Sequence, residues 1–287
     1  MTFDDLFVYS QYLTPQHLLS RSVGKLADCE IDAIKRPFIR WFINRYGVDM
    51  SEALLESPDD YRHFNDFFTR ALKPDVRTID SDPKALISPV DGTVSQQGTI
   101  TQGQIFQAKG QSFNVVELLG GSVERASPFM GGEFSTIYLS PKDYHRIHMP
   151  MTGTLREMVY IPGRLFSVNP VTTAKVPRLF ARNERVAAIF DTEIGPVAMV
   201  LVGAMIVASI ETVWAGCVAP IRRAVNTTLY GDVSPTIKLD KGEEMGRFKL
   251  GSTVVLLFPE NQMAFEEKHA AESPVRLGQR IGTLLAD

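Results

Sequence analysis

Three short stretches carry side chains able to do chemistry. Leu139 to Pro150, LSPKDYHRIHMP, holds His145 and His148, two of the five histidines in the chain. Ser88 to Val94, SPVDGTV, holds Asp91. Lys249 to Phe258, KLGSTVVLLF, sets Ser252 behind Gly251 and directly ahead of a continuous apolar run. A carboxylate, an imidazole and a hydroxyl are residue types of nucleophilic catalysis, in which a neutral hydroxyl needs a base. Each stretch also has a plainer reading. His-x-x-His invites a metal, but a third ligand at sensible spacing is missing, so no metal is expected. The two histidines could equally satisfy core hydrogen bonds. Asp91-Gly92 has the composition of a hairpin turn. Gly251-Ser252 before a strand is ordinarily a turn, and it is not a G-x-S-x-G elbow. The three signals gain weight only together.

The elements that must position these residues follow from the hydrophobic spacing. The first 70 residues are expected to be helical. Phe3, Leu6 and Phe7 fall at helical spacing, and Thr14-Pro15-Gln16-His17 reads as an N-cap followed by proline at N1. Ile34 to Tyr46, IKRPFIRWFINRY, puts Phe38, Trp41, Phe42 and Tyr46 near one face, flanked by Lys35, Arg36, Arg40 and Arg45. That pattern suits a membrane surface, or a helix packed on its own domain with solvated arginines. After Pro74, short apolar runs alternate with Gly, Pro, Asn and Asp at all-β spacing. Ser140, Pro141 and Asp143 suit N-cap, N1 and N3 of a short helical turn that delivers His145.

Ile194 to Ile210 is uncharged but shorter than the roughly 20 residues a spanning helix needs. Its valines and Gly203 suit two buried strands meeting near that glycine. A net charge of −3 argues against a general nucleic-acid surface. Cys29 and Cys217 form no framework, which suits a reducing compartment, and MTFDDLF lacks the basic start of a secretory signal. No G-x-G-x-x-G or P-loop supports nucleotide binding. The expected fold is α+β, with a helical, membrane-facing N-terminal layer (1–75) packed on a β-rich core (76–287) of antiparallel or mixed sheets.

FNDFFTRALKP (Phe64 to Pro74), SPVDGTVSQQG (Ser88 to Gly98), QAKG (Gln107 to Gly110), YHRIHMP (Tyr144 to Pro150), PGRLFSVNP (Pro162 to Pro170) and LGST (Leu250 to Thr253) together resemble the bacterial, pyruvoyl-dependent phosphatidylserine decarboxylase family. The segments keep the family's order over nearly the whole chain. The resemblance implies self-cleavage between Gly251 and Ser252, giving chains 1–251 and 252–287, with Ser252 converted to a pyruvoyl group. It implies that His148 is the base, oriented by Asp91. The pyruvoyl ketone would form a Schiff base with phosphatidylserine and act as electron sink for loss of CO₂, leaving phosphatidylethanolamine. His145 is the candidate proton donor to the resulting carbanion. Phe166 and Ser167 are candidates for the lipid headgroup pocket. A two-acyl substrate implies a peripheral protein on the cytoplasmic side of the inner membrane, and the family implies a homodimer of two-chain units. Without the resemblance, the same residues would also suit a serine hydrolase acting on an external ester, or a non-catalytic β-sandwich module.

Overall fold

The computed structural model describes residues 2–205, 209–219, 224–232, 234–249 and 252–285. Four helices lead: α1 (Phe3–Leu13), α2 (Gln16–Ala27), α3 (Asp32–Tyr46) and α4 (Phe64–Phe68). The hydroxyl of Thr2 accepts from the Asp5 amide while Asp5 reaches back to the Thr2 amide, so a capping box starts α1. Helix α2 begins one residue later than the proline signal suggests, with Pro15 as its cap. Gly47 closes α3 in the left-handed region (φ 66°), where a side chain would be strained.

The strands follow in chain order: β1 (Ala85–Ile87), β2 (Gly92–Thr99), β3 (Gln104–Ala108), β4 (Gln111–Asn114), β5 (Glu133–Leu139), β6 (Arg146–His148), β7 (Gly153–Ile161), β8 (Arg185–Thr192), β9 (Gly195–Gly203), β10 (Ser209–Thr212), β11 (Gly216–Ala219), β12 (Asn226–Leu229), β13 (Lys238–Leu239), β14 (Glu244–Lys249), β15 (Ser252–Leu257), β16 (Met263–Phe265), β17 (Pro274–Val275) and β18 (Arg280–Leu284). A nine-stranded sheet runs β12-β7-β8-β9-β15-β5-β2-β17, with β13 also on β7. A second sheet runs β11-β10-β14-β6, a third β1-β18-β16, and β3 pairs with β4. These strand pairings are all antiparallel. The uncharged stretch does divide into two strands, β9 ending at Gly203 and β10 starting at Ser209.

Why VVLLF has no polar alternation is now plain: the large sheet is covered on both faces. Val254, Leu256 and Phe258 join one core with Leu139, Ile147 and Phe248. Val255 and Leu257 join another with Val202, Phe166 and Phe180. A third cluster belongs to the helical layer, where Ile39 and Phe42 of α3 meet Phe64, Phe67 and Phe68. Phe38 stacks on Phe64 at 4.4 Å. Lys35 and Arg36 pair with Asp32, and Arg36 and Arg40 with Asp59. Most of α3's pattern is therefore absorbed internally, with Trp41 left 53% exposed. Among the most exposed apolar residues of the layer are Phe3, Leu6, Leu13 and Leu18 on α1 and α2, with Ile31 at the cap of α3.

Two turn expectations are corrected. Asp91-Gly92 does not close a hairpin, because β1 pairs with β18 while β2 pairs with β5 and β17. Turn composition describes the local bend, but the strands it joins sit in different sheets. Ser140–Asp143 is a tight turn rather than a helix, closed by the Asp143 amide on the Ser140 carbonyl at 2.9 Å. Asp143 then accepts from the Ser140 amide and hydroxyl, both at 2.7 Å.

Gly92 is demanded by packing. A Cβ there would lie 2.4 Å from the Tyr138 carbonyl oxygen of β5. Gly92→Ala should push β2 off β5 and destabilise the protein by about 1–3 kcal/mol, seen as a lowered urea midpoint. An unchanged midpoint would show that β2 shifts freely.

Candidate active site

Ser252 opens β15, with Leu139 of β5 opposite it on one side and Gly203 of β9 on the other. It is wholly buried, and its Oγ has no hydrogen-bond partner among the described residues. A buried hydroxyl without a partner is costly, so its retention needs a reason. Gly251, whose carbonyl the sequence singles out, lies outside the described residues, as does Leu250.

Asp91 reaches the same end of the sheet. Thr93, Tyr138 and Thr253 form one row across β2, β5 and β15. At a strand spacing of about 4.8 Å, the Asp91 segment lies about 10 Å across the sheet from Ser252. The Asp91 carboxylate accepts from Arg77 Nε at 2.9 Å, Arg77 Nη2 at 2.5 Å and the Leu277 amide at 2.9 Å. Arg77 Nη2 also binds Glu52 at 2.6 Å. Burial works against the Arg77 charge, but its bonds to Asp91 and Glu52 outweigh that and hold it above the usual guanidinium range. No hydrogen bond joins Asp91 to His148 among the described residues.

His148 ends β6, its amide on the Pro89 carbonyl at 2.9 Å, two residues from Asp91. Its Nδ1 lies 2.8 Å from the Gly242 carbonyl and its Nε2 3.1 Å from the Tyr144 hydroxyl. A carbonyl only accepts, so Nδ1 carries the proton and Nε2 presents its lone pair, as a base requires. Burial, partly offset by the Gly242 contact and the Glu244 and Asp91 charges, lowers its pKa below the usual imidazole value. Burial also pushes the Tyr144 hydroxyl up to about 12, so it stays a donor to Nε2.

His145 follows the same rule in a tighter place. Nδ1 donates to the Asp143 carbonyl at 2.8 Å, and the ring lies 4.1 Å from that of Phe68. Its Nε2 is buried without a partner among the described residues. Burial lowers its pKa to about 3, so the ring is neutral near pH 7.

Phe166 and Ser167 approach from the other face. The Asn183 side-chain amide donates to the Phe166 carbonyl at 2.8 Å and to the Gly203 carbonyl at 2.9 Å. Gly203 is the strand partner of Ser252, so the two candidate headgroup residues are one bridging side chain away from it. A cavity of about 440 Å³ begins one residue further on, lined by Thr93, Tyr138, Val168 and Lys175 but not by Phe166 or Ser167 themselves. A polar one of about 360 Å³ opens at Arg70, Arg77, Asp91, Asp143 and Tyr144. Sequence reasoning missed Tyr144, Arg77, Glu52 and Asn183. Tyr144 alone had a signal, four residues before His148. Among the described residues no three His, Cys, Asp or Glu side chains gather as a metal site, and no helix is long and apolar enough to cross a membrane.

The phosphatidylserine decarboxylase family pattern matches residues 64–283, and a second pattern, PSD, matches residues 6–47. Among curated proteins, the chain is 62% identical over 283 residues to a phosphatidylserine decarboxylase proenzyme of Hahella chejuensis, covering 99% of this chain and 95% of that one. Identity is 60% over 280 residues to the proenzyme of Stutzerimonas stutzeri and 60% over 279 residues to that of Bordetella pertussis, each covering 97% of this chain and 94% of the relative. With the matches running nearly end to end, the chain belongs to the phosphatidylserine decarboxylase family.

Proposed function

We propose that the chain is made as a precursor and cuts its own Gly251–Ser252 peptide. The family's reaction removes CO₂ from phosphatidylserine to give phosphatidylethanolamine, and this chain carries it out. Relatives named as proenzymes imply processing into chains. The observation that carries the self-cleavage reading is the buried Oγ of Ser252, without a partner among the described residues, at the head of a rigid strand. It suits attack on the adjacent Gly251 carbonyl, where proximity supplies effective molarities of about 10⁵–10⁸ M. The hydroxyl would shift the acyl group from nitrogen to oxygen. Loss of the Ser252 α-proton would then expel chain 1–251 as a carboxylate, and hydrolysis would release ammonia and leave the pyruvoyl ketone.

His148 Nε2 is the proposed base, once Tyr144 yields its place to the Ser252 hydroxyl. Asp91 would favour the imidazolium by its charge, as an orienting group held in place by Arg77. The pyruvoyl group, when formed, supplies the electron sink for loss of CO₂. His145 Nε2, neutral and without a partner among the described residues, would take the proton shed by the substrate amine and return it to the substrate carbon. Thr93, Tyr138, Phe166 and Ser167 flank the space for the headgroup. The exposed apolar residues of α1 and α2 support a peripheral seat on the inner membrane's cytoplasmic side. We also propose a homodimer of two-chain units.

Active protein should resolve by intact mass into chains 1–251 and 252–287, the smaller having a blocked amino terminus and a carbonyl trapped by borohydride or hydroxylamine. Finding only the 287-residue species in active material would refute the proposal. Ser252→Ala and His148→Ala should fold and stay uncut. His145→Ala should still cut, yet decarboxylate about 10²–10⁴-fold more slowly; equal turnover would remove His145 from the chemistry.

The depressed pKa of His145 also has a stability consequence. The unfolded chain binds its proton near pH 6.5 and the folded chain only near 3. Its contribution is therefore complete above pH 6.5 and is lost as the pH falls from 6.5 toward 3, at up to about 1.4 kcal/mol per pH unit. Urea midpoints should fall across that window, and less steeply in His145→Asn.

A further inference from the structure

The segment Gly163–Ser167 runs extended between two different supports. The backbone of its even residues pairs with residues 182–184: the Arg164 amide donates to the Arg182 carbonyl and the Arg164 carbonyl accepts from the Glu184 amide, both at 2.8 Å. The Phe166 amide and carbonyl are both held by the Asn183 side chain, at 3.0 and 2.8 Å. The backbone of its odd residues is held by side chains of α1 and α2. His17 Nε2 donates to the Gly163 carbonyl at 3.0 Å. The Leu165 amide donates to Gln16 Oε1 and the Ser167 amide to Gln11 Oε1, each at 2.9 Å. Gln16 Nε2 closes the set on the Gln11 carbonyl at 2.9 Å. This is the two-residue alternation of a strand in a sheet, with helix side chains replacing one neighbouring strand.

Gln11 and Gln16 are 2% and 4% exposed, on helices whose other residues Phe3, Leu6, Leu13 and Leu18 face outward. Long polar side chains buried on helices that otherwise expose so many apolar residues call for a specific task. Through Phe166, Asn183 and Gly203 the clamped segment connects to the strand partner of Ser252. We infer that Gln11 and Gln16 are positioning residues for decarboxylation, fixing the Leu165–Ser167 backbone between helices α1 and α2 and the Ser252 strand. The inference rests on the reading that Phe166 and Ser167 flank the phosphatidylserine headgroup. The role lies downstream of self-cleavage, because neither glutamine touches the residues proposed to cut the chain.

The test uses the full, processed enzyme on vesicles of phosphatidylserine and phosphatidylcholine, with CO₂ release followed over substrate concentration. Gln11→Met and Gln16→Met remove the acceptors at similar side-chain size. Cleavage into two chains should be unchanged, while kcat/KM falls about 10- to 100-fold in the double variant. Amide exchange at Leu165 and Ser167 should accelerate in the same proteins, a readout independent of turnover. Gln11→Glu keeps the acceptor and gives up an Nε2 that has no partner among the described residues, so it should recover most of the loss seen in Gln11→Met. Unchanged or raised kcat/KM, unaltered exchange at both amides, no recovery in Gln11→Glu, or cleavage falling in step with activity would each overturn the inference. If clamp and exchange behave as expected while kcat and KM for the lipid stay unmoved, the headgroup reading fails with it. Absence of CO₂ release by the wild-type protein would instead strike the proposed reaction, and exchange at Leu165 and Ser167 would still judge the clamp.

Discussion

Ser252 opens a strand that is laddered on both sides and buried on both faces, and the rest of the site depends on that confinement. β9 and β5 fix its backbone through registers that run the length of β15. Cores above and below remove any freedom to tilt. A side chain at the head of such a strand has its position set by the whole sheet rather than by a loop. The unsatisfied hydroxyl is then a local cost tolerated by a large surrounding apolar contact.

Electrostatics around it follow from burial. Both histidines lose charge to desolvation, and in both a backbone carbonyl accepts a hydrogen bond from Nδ1–H. The tautomer is thereby chosen by main chain, which no side-chain substitution nearby easily changes. Arg77 joins Glu52 from the helical layer to Asp91 from the core. Removing either carboxylate would leave a largely buried guanidinium short of partners, so the layer and the core are electrically interdependent.

Much of this was legible in the chain, for identifiable reasons. VVLLF reads as a buried strand because an apolar run without alternation, too short for a buried helix, suits a strand covered on both faces. His145 and His148 announce themselves because histidine is scarce and here paired. The division of Ile194 to Ile210 into two strands near Gly203 was visible from its valines and glycines. What could not be read was pairing across distance. Asp91-Gly92 has hairpin chemistry, but only the sheet registers reveal that its flanking strands part company. The partners of Asp91 come from Arg77 and Leu277, and those of Phe166 from Asn183, contacts that no spacing rule encodes. The basic face of α3 left two readings open for a similar reason: Asp59, which pairs with Arg36 and Arg40, lies beyond the helix.

The stretch that follows Ser252 is woven through the molecule. It gives β15 to the middle of the large sheet, β17 to that sheet's far edge, and β16 and β18 to the three-stranded sheet, where β18 is the central member. A backbone broken just ahead of β15 would thus yield no detachable tail. The short piece would be gripped like a thread in cloth, leaving only when two sheets unravel, and its companion would lose their interior strands in the same event. Covalent continuity and mechanical unity are separate properties in this fold, so the chain can give up the first at one peptide while the second endures.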